Sequence, residues 1–308
     1  MATVTTATGS ISPEIREFYD KNMLAKAEPE LVHVKYARKK PIPKGMGAAI
    51  NWRRGTLLTP ASTPLTEGVT PAGNTLTIVN VRAVVSQYGD WVAFSDVVGI
   101  TTIDPILTEN SDILGQQAGA TLDVVAREVY VAGTNVRYAN GRVSRVTVAA
   151  GDIINDSEIK KITRQLRVAN ARSIGGRFVG IVHPNTVYDL QSTAAYTNAG
   201  AYQDKAALET GQVFDLYGVT WVETTNAKVF TGAGAAGIDV YATLVFGAES
   251  LGSSSIEGLD METIYKPLGS SGTDDPLNQR QTQAWKASFV AVILNQTWNL
   301  RFEHAVSA

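Results

Sequence analysis

The residues of this chain that could carry chemistry are few, and their spacing decides against most of it. Gly232, Gly234 and Gly237 spell GxGxxG, the pattern that in a dinucleotide site ends a strand and opens a helix whose first amides face a pyrophosphate. Here Lys228–Phe230 can supply the strand, but Ile238-Asp239-Val240-Tyr241 continues as another strand. The acidic residue about twenty positions on, Glu257, falls in a glycine- and serine-rich loop. The expectation is a loop between two strands. His33, His183 and His304 are scattered, with no i, i+4 pair and no carboxylate triad, so each is expected to be a hydrogen-bonded structural histidine. Asp274 and Asp275 are adjacent in a polar connection, a spacing that fixes no acid–base geometry. No Walker loop, nucleophile elbow or zinc signature occurs. With no cysteine, disulfides, thiolate metal sites and cysteine catalysis are excluded. The residues read as a protein that is not an enzyme and uses no cofactor and no metal.

Charge is concentrated rather than abundant. Lys35, Arg38, Lys39, Lys40, Lys44, Arg53 and Arg54 fall within twenty positions without one acid. Contact with phosphates or with a neighbour's carboxylates, and a solvated strand face, are equal readings of that run. Only Tyr36 and Trp52 interleave with it, too few for a stacking platform on single strands. A second basic group lies on a helix. Asn155 with Glu158 three places on is a capping-box pattern; Ile159, Ile162, Leu166 and Ala169 then face a core while Lys160, Lys161, Arg164 and Arg167 face away. The net charge of −2 argues against a surface tuned throughout to nucleic acid. Charged residues make up only 18% and hydrophobic residues 44%, which suggests that much outer surface meets protein rather than water.

The element that positions the rest is a long helix expected over 104–133. Asp104 can cap its first turn and Pro105 suits the first helical position. Leu114, Ala118, Leu122, Val125 and Val129 recur as an apolar stripe at helical period. Gly133 sits where a left-handed terminating residue is wanted. Gly115 and Gly119, four apart inside the helix, are expected to admit another element packed closely against that face.

Residues 1–11 read as an extended arm and Ser12-Pro13 as the start of a short helix with Ile15, Phe18, Tyr19 and Met23 on its apolar side, suited to docking on another subunit. Residues 31–52 read as strands and turns. Residues 56–74 contain Pro60, Pro64, Pro71, Gly68 and Gly73 together with Leu57, Leu58, Leu65 and Val69; so long a loop is usually functional. A return strand follows through Leu76, Ile78, Val79, Val81, Val84 and Val85, then a turn at Gln87-Tyr88-Gly89-Asp90 and a strand at 91–95. This two-stranded projection cannot stabilise itself in water and should lie on a partner. Asn140-Gly141 signals a hairpin. Strands are expected at 177–182, 219–223, 240–246, 261–265, 285–294 and 297–303, with a helix at 184–190 and a polar connection at 274–283. Strands before and after the helices make the class α+β with a discontinuous sheet domain. No segment reaches the ~18 apolar residues that span a bilayer, and residues 1–10 lack the pattern of a secretory signal. The expected setting is a cytoplasm, or release by lysis.

Several short motifs, in order, resemble a known family. They are Leu65-Thr66-Glu67-Gly68-Val69-Thr70-Pro71 in the long loop, Tyr88-Gly89-Asp90, the Asp104-Pro105 helix ending in Val131-Ala132-Gly133-Thr134-Asn135, and Asp275-Pro276-Leu277-Asn278-Gln279-Arg280 leading to Trp285-Lys286. The chain is similar, from about residue 12 to 302, to the major capsid proteins of tailed phages of the N-four type, which have the Hong Kong ninety-seven fold. The resemblance implies an N-terminal arm at 1–30, an extended β-hairpin loop at 45–85, a peripheral domain with the long spine helix at 31–44, 86–176 and 270–308, and an axial domain at 177–269. It implies the head shell of a tailed bacteriophage around double-stranded DNA, in a virion assembled in the host cytoplasm. The partners implied are copies of itself as hexamers and pentamers, a portal, scaffolding or decoration proteins, and DNA held without sequence preference; no membrane and no cofactor are implied. Subunit-interface candidates are Ile15, Phe18, Tyr19, Trp52, Arg53, Arg54, Leu57, Leu58, Leu65, Glu67 and Val69; DNA-facing candidates are Lys160, Lys161, Arg164 and Arg167. Two departures stand out. No lysine lies between Gly45 and Asn80, so the isopeptide cross-link some relatives form from this loop is not expected, and the arm is too short for a helical scaffolding segment. A cellular nanocompartment shell of the same fold, and a soluble enzyme using the glycine-rich loop, are the alternatives.

Overall fold

The computed structural model describes residues 23, 25–27, 31–56, 58–97, 106–193, 215–270 and 274–307. A one-turn helix α1 (Val32–Lys35) and a short strand β1 (Arg38–Lys39) lead into β2 (Ala49–Gly55) and β3 (Ile78–Val84). These two pair antiparallel, from Ala49 opposite Val84 to Gly55 opposite Ile78. Then come β4 (Ser86–Ser95), the long helix α2 (Ile106–Val131), β5 (Val136–Tyr138), α3 (Asp156–Val168), β6 (Phe178–Val182) and α4 (Pro184–Gln191). The strands β7 (Asp215–Leu216), β8 (Val219–Glu223), β9 (Val229–Phe230), β10 (Val240–Phe246), β11 (Leu251–Ser254), β12 (Glu262–Lys266), β13 (Arg280–Ile293) and β14 (Asn299–His304) complete the order.

At 26 residues α2 is a rod of about 39 Å. Its expected stripe is buried through Leu114, Ala118 and Leu122 and continues in the same four-residue row through Ala126 and Tyr130, with Val125 and Val129 half-buried beside it. Asp104 and Pro105 lie outside the described residues. Gly115 answers the close-packing reading: a β-carbon there would stand 2.6 Å from the Met23 carbonyl oxygen. Gly133, by contrast, is not left-handed. Its lack of a side chain instead leaves room for Asn299, Gln296 and Ile293, each of which a β-carbon would meet at 3.2 Å.

Two sheets are built on this rod. In the first, β13 is the hub, with β4 along one side and β12 and then β11 along the other; β1 joins β11 in parallel. Side-chain alternation sends Trp285, Ala287, Phe289 and Ala291 to the α2 core, and Val290 and Val292 to a smaller cluster under the base of the β2–β3 ribbon with Ile42, Ile50, Trp52 and Val85. The second sheet runs β5-β14-β10-β6-β8-β7, with β9 on β10. Val179 and Ile181 of β6 face α2, while Phe178 and Val182 join Ile159, Ile162 and Leu166 of α3 and Leu190 of α4. It is therefore a sheet sandwiched between helices. Gly180 lets the Trp221 ring lie on β6, since a β-carbon would sit 2.6 Å from that ring.

Three expectations change. Residues 87–90 are not a turn: β4 runs straight through them, and Gly89 serves close approach, because a β-carbon would lie 2.6 Å from the Trp285 carbonyl oxygen of β13. Asn140 and Gly141 do take positive φ (53° and 70°), but in a tight helical turn rather than a hairpin. There Asn140 and Arg142 both bond the buried Asp152, so β5 pairs with β14 instead of with a following strand. Residues 32–35 are helical, held by a buried pair: the His33 amide donates to Asp123 Oδ1 and His33 Nδ1 meets Asp123 Oδ2, both at 2.7 Å. Each sheet joins strands from distant parts of the chain: β5 and β14 share a sheet with β6, β8 and β10, and β11 and β12 pair with β13.

Candidate assembly surfaces

The glycine-rich segment is built as a turn and not as a phosphate cradle. It joins β9 to β10, which are antiparallel neighbours. Its amides are spent inside the chain: Gly232 donates to Asp239 Oδ1 (2.7 Å), Gly234 to the Ile238 carbonyl (3.0 Å) and Ala235 to the Val148 carbonyl (2.8 Å). The position of Gly234 is filled by its surroundings, since a β-carbon would lie 2.6 Å from Ile238 Cγ1. No amide row is left to face a pyrophosphate.

The histidines are likewise in structural use. His304 is fully buried between Thr243 Oγ1, 2.9 Å from Nε2, and the Ala305 carbonyl, 2.7 Å from Nδ1. The carbonyl can only accept, so Nδ1 carries the proton and Nε2 accepts from the threonine. Burial pushes the His304 pKa down to about 4, against the Ala305 carbonyl and the charge of Asp189. His183 caps α4 through Nδ1, which accepts from the Asn185 amide, and burial lowers its pKa too, against the charge of Glu223. At Asp152 burial opposes ionisation, but the Ala149 amide, Arg142 and Asn140 together hold the carboxyl below its ordinary value. Among the described residues no group of three or more His, Asp or Glu could hold a metal, and no helix is long and apolar enough to cross a membrane.

What remains is surface. The β2–β3 ribbon leaves the body at Gly55 and Ile78, and the connection between the strands carries Leu58, Leu65, Val69 and Leu76 with half to three-quarters of their surface in solvent. Its tip is a turn, with Gly68 at φ 75° and the Val69 amide bonded to the Thr66 carbonyl, and it presents Glu67 between Leu65 and Val69. Arg53 and Arg54 are exposed at the ribbon's base. Trp52 is different: only 6% exposed, it packs within its own chain under the ribbon. Strand alternation points it inward with Ile50, a signal readable in Ile50-Asn51-Trp52. Ile15, Phe18, Tyr19 and Leu57 lie outside the described residues.

On α3, Asn155 Oδ1 accepts from the Glu158 amide at 3.1 Å, the expected cap. The Glu158 side chain does not return the bond but turns to Lys161 (2.7 Å) and Arg137 (3.3 Å). Lys160 lies over the Tyr217 ring at 4.5 Å. Arg164 and Arg167 are exposed and make no ion pair among the described residues. Together with Tyr217 they border an open hollow of about 620 Å³. Lys161 thus shares one carboxylate with Arg137, and the accessible charge without an ion pair among the described residues is carried by Lys160, Arg164 and Arg167.

A second hollow, of about 440 Å³, escaped the sequence reading in part. It brings Arg38, Arg53 and Arg54 of the basic run together with Arg172, which follows α3, and Glu249. Arg172 and Glu249 are distant in sequence, and nothing in their local pattern announces the meeting.

No family model and no curated protein matches the sequence. Solved structures do. The capsid of Ralstonia phage GP4 superposes with a TM-score of 0.72 at 14% identity, covering 89% of this chain and 88% of that one. The chain has the Hong Kong ninety-seven fold. The capsid of cyanophage Pam1 shares that fold over 100% of both chains, with a TM-score of 0.67 and 16% identity. The virus-like particle from Pyrococcus furiosus shares it less closely, with a TM-score of 0.55 at 10% identity over 94% of this chain and 99% of that one. In this fold α2 is the rod along which the first sheet lies, and the β2–β3 ribbon is the projection from it.

Proposed function

We propose that this chain is the shell-forming subunit of an icosahedral bacteriophage head, a major capsid protein. The observation that carries the reading is the unsupported connection of the β2–β3 ribbon: a long excursion with exposed leucine and valine side chains, attached to a Hong Kong ninety-seven body that matches phage capsid chains along almost its whole length. Exposed apolar surface of this kind marks a binding site for protein, and many modest contacts of one chain with its copies add up to a stable shell. The finer placement among the N-four type rests on the order of the sequence motifs. In this reading the ribbon and the exposed Leu58, Leu65, Glu67 and Val69 meet a neighbouring copy, as do Leu57 and the arm residues Ile15, Phe18 and Tyr19. A cellular compartment shell shares the fold, and the weaker likeness to the Pyrococcus particle favours the phage head.

Negative-stain microscopy with size-exclusion chromatography of the expressed chain tests this. Closed shells, tubes or hexameric and pentameric rings are expected; a chain that stays monomeric at high concentration and with scaffolding partners added overturns the reading. The open charges of α3 belong to the same proposal, as a sequence-independent and salt-dependent contact with packaged DNA. Reversing Lys160, Arg164 and Arg167 to glutamate should leave shells intact and lower the DNA they retain at physiological salt. Unchanged retention would remove α3 from the DNA-facing surface.

A further inference from the structure

The arginine hollow at the foot of the ribbon holds more positive charge than its own chain balances. Four guanidinium groups, Arg38, Arg53, Arg54 and Arg172, line it, against the single carboxylate of Glu249. That carboxylate is stretched between two of them, 3.4 Å from Arg38 and 3.5 Å from Arg172, and all three side chains are half-exposed. Glu249 is also held at φ 59°, the left-handed region a glutamate rarely adopts. Arg53 and Arg54 make no ion pair among the described residues. Trp52, in the wall, is more than nine-tenths buried, and its indole N–H has no acceptor among the described residues. Unpaired guanidinium groups and an orphaned N–H are donors without an acceptor, and a carboxylate accepts from both kinds.

The same ribbon carries a carboxylate at its other end. Glu67 projects from the tip turn between the exposed Leu65 and Val69, and the hollow offers Leu294, Val81 and Trp298 as apolar wall beside its arginines. The loop leaves β2 and β3 beside this hollow, at the Gly55–Ile78 pair, and Glu67 makes no ion pair among the described residues. Between Gly55 and Glu67 the extended chain reaches at most about 40 Å, enough to pass beyond its own foot onto a second copy. We propose that the hollow is the socket for the loop tip of a second copy, with Glu67 bound among Arg54, Arg53 and Arg38 and with Leu65 and Val69 on the apolar wall. Each copy then gives one tip and receives one. This is a head-to-tail contact, and such contacts close into rings when the rotation allows. The inference rests on the shell reading and adds its address.

The chain has no cysteine, so a pair of introduced thiols reports one contact only. Assembled Glu67→Cys/Arg54→Cys protein, treated with a short bis-maleimide, should give a ladder of linked copies on a denaturing gel, and neither single variant should. Separately, Glu67→Arg should raise the protein concentration at which assemblies appear by roughly tenfold. Adding Arg54→Glu to that variant should restore most of the loss. Wild-type assemblies whose double-cysteine form gives no ladder overturn the socket while leaving the shell reading standing. A linked dimer from Glu67→Cys alone puts tip against tip and overturns it as well. A wild-type chain that never assembles removes both. Circular dichroism of each monomer separates a lost contact from a lost fold.

Discussion

At His304 burial and hydrogen bonding act on one proton. The ring is fully buried, stacked on Phe302 with centroids 5.3 Å apart, and bonded at both nitrogens in its neutral form. Its pKa falls from 6.5 to about 4 on folding, so between those values the unfolded chain binds more protons than the folded one. The stability this contributes is complete above pH 6.5 and is lost as the pH falls toward 4. His183, lowered in the same direction by burial, adds to that loss. Urea unfolding at about pH 7 and about pH 5 should differ by an acid-labile component on the order of 2 kcal/mol, and His304→Gln should remove most of it. An unchanged difference in the variant would place the acid sensitivity elsewhere. Asp152 acts in a lower window: its depressed carboxyl pKa gives stability that is lost only as the pH falls through that folded value. That the three histidines are structural was legible from their scatter along the chain. That His33 clasps Asp123, ninety positions away, was not.

At the scale of elements, periodicity read the helices well and glycine misled in both directions. The stripe on α2 and the cap on α3 are local, set by spacing of three and four residues, and both are found. Gly89 and Gly133 looked like a turn and a helix stop, yet both are places where another strand or side chain comes within contact of the backbone. Only the neighbour distinguishes the two uses. Gly115 gives the sharpest test. Alanine should stabilise an exposed helix site by about 1 kcal/mol, but here its β-carbon would meet the Met23 carbonyl oxygen at 2.6 Å. Gly115→Ala should therefore lower the melting temperature and speed proteolysis on the N-terminal side of residue 31. Gly151→Ala, with open space around it, should do neither. If Gly115→Ala melted higher, the packing of residue 23 on α2 would be disproved.

Across the whole molecule, stability and assembly reside in different parts. The cores lie along α2, between the second sheet and α3, and under the ribbon's foot; the connection from 58 to 77 contributes exposed side chains to none of them. Replacing residues 58–75 with a short Gly-Ser turn should leave the melting temperature of the monomer within a few degrees and abolish shells in the microscope. A matching fall in monomer stability would mean that the loop folds onto its own body.

The sequence by itself determined the α+β class, the long helix, the projecting ribbon and the absence of a working nucleotide loop. Each of these depends on periods of two or four residues, or on turn chemistry within a few positions. Tertiary structure decided the rest. Which strands share a sheet was settled by pairings such as β5 with β14 and β11 with β13, made across long stretches of chain whose local pattern names no partner. Trp52 was decided by a wall built from β13, and the arginine hollow by residues 38, 54, 172 and 249 meeting at one point. Local patterns record which face of an element is buried; they do not record what buries it, because that choice belongs to side chains far away in the chain.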